Sequence, residues 1–428
     1  MKKVLLGALG VVSLLGSLSS VASATATATK NGDTYVKISP TVHTFQSDGP
    51  YAVGVYTTTI HVTDSNAVSY VTPVDVWYPA LRPTAKTRIV ATYNVGDWLP
   101  SLFKGLLTKD DASRALAARA TYIEDAFSAA SSVTKAGHTT NAAPTLASGK
   151  FPLVLFSHGF AGFRDQSSFL TTRLASWGFV VAAPDHPGRD LTEVVGTLAG
   201  ASSPTSDGNA DVKDLVATIN LFASGKGGVA QKITDATHVL AFGHSAGGSA
   251  VERLASYESS IHSTTFKGFI GLAGASLGAW SVPTAPYNSV PAVPGVLIAG
   301  GRDNIVSATS LRSAYGQLTS SRRYVEITGA GHQAFSDLCQ IDPGNGGITA
   351  LANALGIKLS SLGNLATLAT DGCFAPATPV TQDWPIIAQV LVASARSILG
   401  FDTSSKALSG LQAAYPAQVT YNTTTALP

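Results

Sequence analysis

The sequence predicts an α/β fold: a mostly parallel central sheet with helices on both faces, N-terminal antiparallel strands and helical insertions. Three patterns carry that expectation. From Phe151 onward, short continuous apolar runs recur: Phe151–Phe156, Gly178–Ala183, His238–Phe242, Phe269–Ala273, Val293–Ala299 and Arg323–Ile327. Runs of this length and composition suit strands buried on both faces. Between them lie helix-like stretches at Ser168–Trp177, Ala210–Ser224, Ser249–Tyr257 and Ala308–Leu318. Strand and helix in alternation give crossover connections and hence parallel pairing. Before this region, Tyr35–Tyr78 alternates in β-rich runs separated by Asp48-Gly49-Pro50 and Asp64-Ser65-Asn66, the pattern of antiparallel strands.

The remaining elements follow in order. Residues 25–32, TATATKNG, are low in complexity, and 25–34 is expected to be a flexible N-terminus. The Ala-rich stretch from Asp110 to Ala136 reads as a helix capped by Thr108. Thr139–Lys150 reads as a polar linker. Beyond residue 332 comes a Gly-rich, irregular segment, and Trp384–Leu399 reads as a final amphipathic helix. A single domain over 35–428 is expected, with insertions at about 95–145 and 338–380.

Composition narrows the partners. Hydrophobic residues make up 45% of the 428, ample for a core and contrary to disorder. A net charge of +2 offers no basic footprint for nucleic acid. Lys2 and Lys3, the apolar run Val4–Leu15 and Ala22-Ser23-Ala24 have the order of a secretory signal peptide over 1–24. Secretion after cleavage near Ala24 is therefore expected, with no stable membrane anchor and a monomeric product. The two cysteines, Cys339 and Cys373, are expected to form a disulfide in an exported chain. Closing a loop of about 30 residues is worth roughly 3–4 kcal/mol in the chain-entropy model. No His or Cys cluster has metal-ligand spacing, so neither metal nor cofactor is expected.

The sharpest chemical signal is Phe242-Gly-His-Ser-Ala-Gly-Gly248. It holds G-x-S-x-G between an apolar strand and a helical segment, the context of a nucleophile elbow at Ser245. Gly243 and Gly247 are the small residues that so tight a turn requires. A Ser hydroxyl needs a base, and His332, in a glycine-rich loop after the last apolar strand, is the best placed of the nine histidines. Asp303 is the only Asp between Ser245 and His332, and it follows a strand by a short Gly turn. It fits the acid that fixes the imidazole tautomer. Two backbone N–H donors must face the oxyanion. Ala246 supplies one and Phe160, in the loop Phe156-Ser-His-Gly-Phe160, the other. The Phe160 ring is either a wall of the acyl pocket or a core aromatic. His158 and His186 are placed at the rim of the site, with Asp185-His-Pro-Gly188 a structural turn, and His244 is expected to pack inside the elbow.

These residues resemble the platelet-activating-factor acetylhydrolase and dienelactone-hydrolase-like branch of the α/β-hydrolases, near the bacterial cutinase-like polyester hydrolases. The matching stretches are GPYAVGV at 49–55, VDVWYPA at 74–80, FPLVLFSHGFAGFRDQSSFLTTRLASWGFVVAAPDHPGRD at 151–190, GHSAGG at 243–248 and GHQAFSD at 331–337. The resemblance implies Ser245, Asp303 and His332 as a triad, Phe160 and Ala246 as oxyanion donors, no cofactor, and a small-molecule, lipid or polymer ester as substrate. Dienelactone hydrolases carry Cys where this chain has Ser245. The animal acetylhydrolases place their acid one strand earlier, where this chain has Leu272-Ala-Gly-Ala275; Asp303 resembles the cutinase-like arrangement. An acyltransferase using the same triad and a non-catalytic binding protein are the alternative functions.

Overall fold

An eleven-stranded sheet organises the computed structural model, which describes residues 27–83, 89–128, 144–201, 207–275, 286–357, 364–402, 406–425 and 427. Its strands belong to the series β1 (Thr27–Lys30), β2 (Asp33–Val36), β3 (Ala52–Thr63), β4 (Ser69–Ala80), β5 (Val90–Asn94), β6 (Thr121–Ser128), β7 (Phe151–Ser157), β8 (Val180–Pro184), β9 (Thr234–His244), β10 (Phe266–Leu272), β11 (Gly295–Gly300), β12 (Arg322–Ile327) and β13 (Val419–Thr425). The helices that matter here are α1 (Ser101–Thr108), α2 (Asp111–Ala118), α3 (Ser168–Ser176), α4 (Leu191–Leu198), α5 (Ala210–Ala223), α6 (Ala246–Ser260), α7 (Ala308–Gln317), α8 (Gly347–Ala354), α9 (Leu365–Thr370) and α10 (Val380–Ile398).

The sheet runs β13-β12-β11-β10-β9-β7-β8-β4-β3-β6-β5, and the block from β12 to β8 is parallel throughout. Alternation along each central strand feeds two cores. Val154, Phe156, Leu240, Phe242, Val296 and Ile298 face α3 and α10, whereas Leu153, Leu155, Val239, Ala241, Leu297 and Ala299 face α5, α6 and α7. Burial on both faces explains why these strands read as unbroken apolar runs. The order reverses between β7 and β9, because β7 leads to β8 on one side and β9 returns on the other. In open α/β sheets, ligand sites gather at the carboxyl ends of strands at such a switch point.

Four expectations change. Residues 27–36 form the β1–β2 hairpin rather than a flexible tail. Asn31 and Gly32 take positive φ values of 54° and 92°, the demand of a two-residue hairpin turn. His238 Nδ1 in β9 lies 3.0 Å from Asp33 and 2.9 Å from Asp235, clasping the hairpin to the domain. The helix expected over Asp110–Ala136 stops at Ala118, because 121–128 alternates and pairs as β6. Its cap is Asp110, whose carboxylate accepts the Ser113 N–H, while Thr108 ends α1. An edge strand, β13, pairs antiparallel with β12 and was not expected. His332 sits in a short 3-10 helix, His332–Phe335, instead of an open loop. The signal peptide expected over 1–24, its cleavage site and residues 139–143 of the expected linker lie outside the described residues.

The core also holds an unpartnered carboxyl. Asp383 in α10 is fully buried, and neither of its carboxyl oxygens has a hydrogen-bond partner among the described residues. Desolvation pushes this carboxyl up to about 7. A raised carboxyl pKa makes the folded state hold a proton that the unfolded chain releases, so this residue's contribution falls as pH rises from about 4 to about 7. Asp383→Leu is expected to raise Tm, by an increment that grows from pH 5 to pH 7 and then levels off. Thermal unfolding at stepped pH measures it, and an increment independent of pH contradicts the assignment.

Candidate active site

Ser245 follows β9 at the N-cap position of α6 with φ 56° and ψ −121°, a backbone conformation sparsely used by residues with a side chain. Packing enforces it. A Cβ on Gly243 would overlap the Gly247 carbonyl, and one on Gly247 would overlap the Ser157 carbonyl, so the elbow closes only with glycine at both positions. The Ser245 N–H donates to Leu272 O on β10, which fixes the turn to the sheet.

The structure brings the three dispersed candidates together. Ser245 Oγ lies 2.9 Å from His332 Nε2, and His332 Nδ1 lies 2.8 Å from Asp303 Oδ2. The other carboxylate oxygen, Asp303 Oδ1, accepts the N–H groups of Ile305 at 2.8 Å and Val306 at 2.7 Å. With its carboxylate so held, Asp303 accepts Nδ1–H, leaving Nε2 as acceptor for the Ser245 hydroxyl. Asp303 follows β11 and His332 follows β12, so neighbouring parallel strands deliver both to the same edge as Ser245.

Gly159 stands beside the nucleophile, where an added Cβ would lie 3.3 Å from Ser245 Cβ. The next residue, Phe160, and Ala246 at the first position of α6 make no backbone hydrogen bond to a protein acceptor among the described residues. Two free N–H groups therefore flank Ser245, one at a helix N-terminus where developing negative charge is favoured. The Phe160 ring is 48% exposed, so it is not a core aromatic.

The imidazoles around the site divide sharply. His158 and His186, expected at the rim, are fully buried. Burial holds both well below the usual histidine range, so they are neutral. Ser157 Oγ, His186 and Asp214 form a second array, with 2.9 Å at each contact. All three side chains are sealed from solvent, so this array meets no substrate. It anchors the loop after β7 instead. The His186 N–H donates to His158 Nε2, His158 Nδ1 donates to Gly159 O, and Arg189 donates to His158 O and Ser157 Oγ.

His244 packs within the elbow, as expected, and also links loops. Gln166 accepts the Gly159 N–H and donates to His244 Nδ1, which leaves His244 Nε2–H to donate to His332 O at 3.0 Å. Asp337, the last residue of GHQAFSD, accepts the Ser168 and Phe169 N–H groups at the start of α3 together with the Ser168 and Tyr93 hydroxyls.

One contributor comes from a segment with no motif. Asp371 accepts the His332 N–H at 2.9 Å and the Asn304 amide at 2.7 Å, bracing the acid and histidine loops together. The Cys339–Cys373 disulfide, two residues beyond Asp371, closes this segment on itself. Asp371→Ala is expected to lower kcat on a simple ester by about 10–100-fold with KM changed much less, because a displacement near 1 Å costs about that much. Steady-state kinetics reads this; unchanged kcat removes Asp371 from the positioning of His332.

Residues 36–204 match the family model of platelet-activating factor acetylhydrolase, isoform II. The matched stretch contains the Phe156–Phe160 loop, Gln166 and the buried His158 and His186, and it stops before Ser245. No curated protein matches the chain. Sheet, crossovers and family match together give the chain an α/β-hydrolase fold. Over residues 36–204 it is similar to the platelet-activating factor acetylhydrolases, a likeness that supports hydrolysis of esters as its activity.

Proposed function

We propose that the chain is an exported serine carboxylic-ester hydrolase acting on short-to-medium acyl, lipid or polymer esters. The observation that carries the reading is the Asp303–His332–Ser245 hydrogen-bond chain beside the two unpaired N–H groups of Phe160 and Ala246. Ser245 Oγ attacks the ester carbonyl while its proton passes to His332 Nε2. The tetrahedral oxyanion accepts hydrogen bonds from Phe160 and Ala246 N–H. His332 then returns the proton to the departing alcohol, leaving an acyl-Ser245. Water deprotonated by His332 attacks that ester, and Ser245 regains its proton. Asp303 holds the tautomer and stabilises the imidazolium formed twice in the cycle.

Export is supported by the N-terminal pattern and by the disulfide, which persists in oxidising compartments. No helix among the described residues is long and apolar enough to cross a membrane. Initial rates on p-nitrophenyl esters from acetate to palmitate, with and without an added alcohol, test the reading. Hydrolysis without alcohol is the expected result. Turnover only when an alcohol acceptor is present would make the chain an acyltransferase.

A further inference from the structure

An apolar cavity of about 120 Å³ lies beside the loop that carries Phe160. Four parts of the chain wall it: α1–α2 with the preceding turn, Ala161–Phe163, α4, and Leu338 with α8, Ile357 and α9. Leu99, Val195, Leu351 and Leu355 typify the lining. Asn94 and Thr349 are its only polar side chains among the described residues, and Asn94 already bonds Gly96, Ala117 and Thr121. A space so lined excludes charged or strongly hydrogen-bonding ligands, which would lose their water without replacement.

Its place relative to the chemistry is set by the chain. Gly159 lies beside Ser245, close enough that a Cβ there would meet its side chain, Phe160 offers an oxyanion N–H, and Ala161 is already cavity wall. Two peptide units, at most about 7.6 Å, separate Gly159 from that wall. The carbon held at the oxyanion loop keeps its acyl chain through both half-reactions, whereas the alcohol leaves in the first, so we assign the wall continuous with that loop to the acyl side. Most of the opposite wall, the lining residues within 348–357 and 365–369, lies inside the loop closed by the Cys339–Cys373 disulfide and beyond the stretch matched by the acetylhydrolase family.

We propose that this cavity, lined on one side by α8 and α9 within the disulfide-closed loop, receives the acyl chain of the substrate, a linear hydrocarbon of about six carbons. The inference rests on the ester-hydrolase reading above. The size follows from volume, since a dry cavity of roughly 150 Å³ accommodates benzene. Each methylene moved from water into such a space gains about fourfold in kcat/KM, the equivalent of about 0.8 kcal/mol.

The test compares kcat/KM on p-nitrophenyl acetate, butyrate, hexanoate and decanoate for wild type, Ala352→Phe, Ala366→Phe and Leu355→Ala. Wild type is expected to climb from acetate to hexanoate. The two Phe variants, on separate helices, fill the space and are expected to lose at least tenfold on hexanoate while acetate stays within about twofold. Leu355→Ala enlarges the space and is expected to shift the optimum toward decanoate, which decides the matter if the filled variants fold poorly. An active wild type whose acyl-length profile none of the variants moves overturns the cavity's role and leaves the hydrolase standing. A wild type inactive on every ester removes both.

Discussion

Replacing Ser245 with Ala is expected to lower kcat/KM on p-nitrophenyl acetate by about 10⁴–10⁶-fold, with the fold intact. The size of the loss follows from what Ser245 alone supplies. Its Oγ is the atom placed 2.9 Å from His332 Nε2, and no other hydroxyl among the described residues is placed there. Without it the unpaired N–H groups of Phe160 and Ala246 still polarise a bound carbonyl, so a residual rate above that in water persists. The side chain is small and its strained backbone is set by the packing of Gly243 and Gly247, not by the hydroxyl. Rates together with thermal unfolding separate lost chemistry from lost folding. A variant within tenfold of wild type would contradict the assignment of Ser245.

Asp303→Asn is expected to cost about 10⁴-fold in kcat with little change in KM. The structure says why so conservative a change is so damaging. Asp303 Oδ1 accepts two backbone N–H groups, from Ile305 and Val306, and an amide oxygen takes that place in the variant. The amide nitrogen then faces His332 Nδ1 as a donor. The proton of the neutral imidazole moves to Nε2, where it blocks acceptance from Ser245. Nitrogen NMR of the imidazole reports the tautomer directly. Low kcat with Nδ1 still protonated would contradict this explanation while leaving the loss itself to be explained.

The site was legible in the sequence where backbone and chemistry constrain residue type together. The elbow needs Gly243 and Gly247 because a Cβ has no room there, so G-x-S-x-G survives as a pattern. His332 and Asp303 follow strands in the chain order this chemistry requires. The central strands were legible because burial on both faces leaves a continuous apolar run. Partner-dependent features were not. Asp371 lies in an irregular stretch, and its bond to the His332 N–H exists only once the disulfide loop folds back. The sealed Ser157–His186–Asp214 array joins β7, the loop after β8 and α5, contacts that linear spacing does not show. β6 was misread because it follows the helix-forming Ala115–Ala118 of α2 with no Gly or Pro between, whereas pairing with β5 and β3 sets the conformation of 121–128. The β1–β2 hairpin carried a readable turn signal in Asn31-Gly32, masked by the low-complexity run before it.

The central claim is that Ser245 is the activated nucleophile of this chain. Labelling the full-length protein with a fluorophosphonate and mapping the adduct by peptide mass spectrometry tests it most directly, since only an activated hydroxyl reacts quickly with such a probe. The expected result is a single adduct on the peptide containing Ser245, lost in Ser245→Ala and greatly slowed in His332→Ala. An adduct on Ser157, whose hydroxyl also contacts an imidazole, or no adduct in an intact protein, would contradict the account.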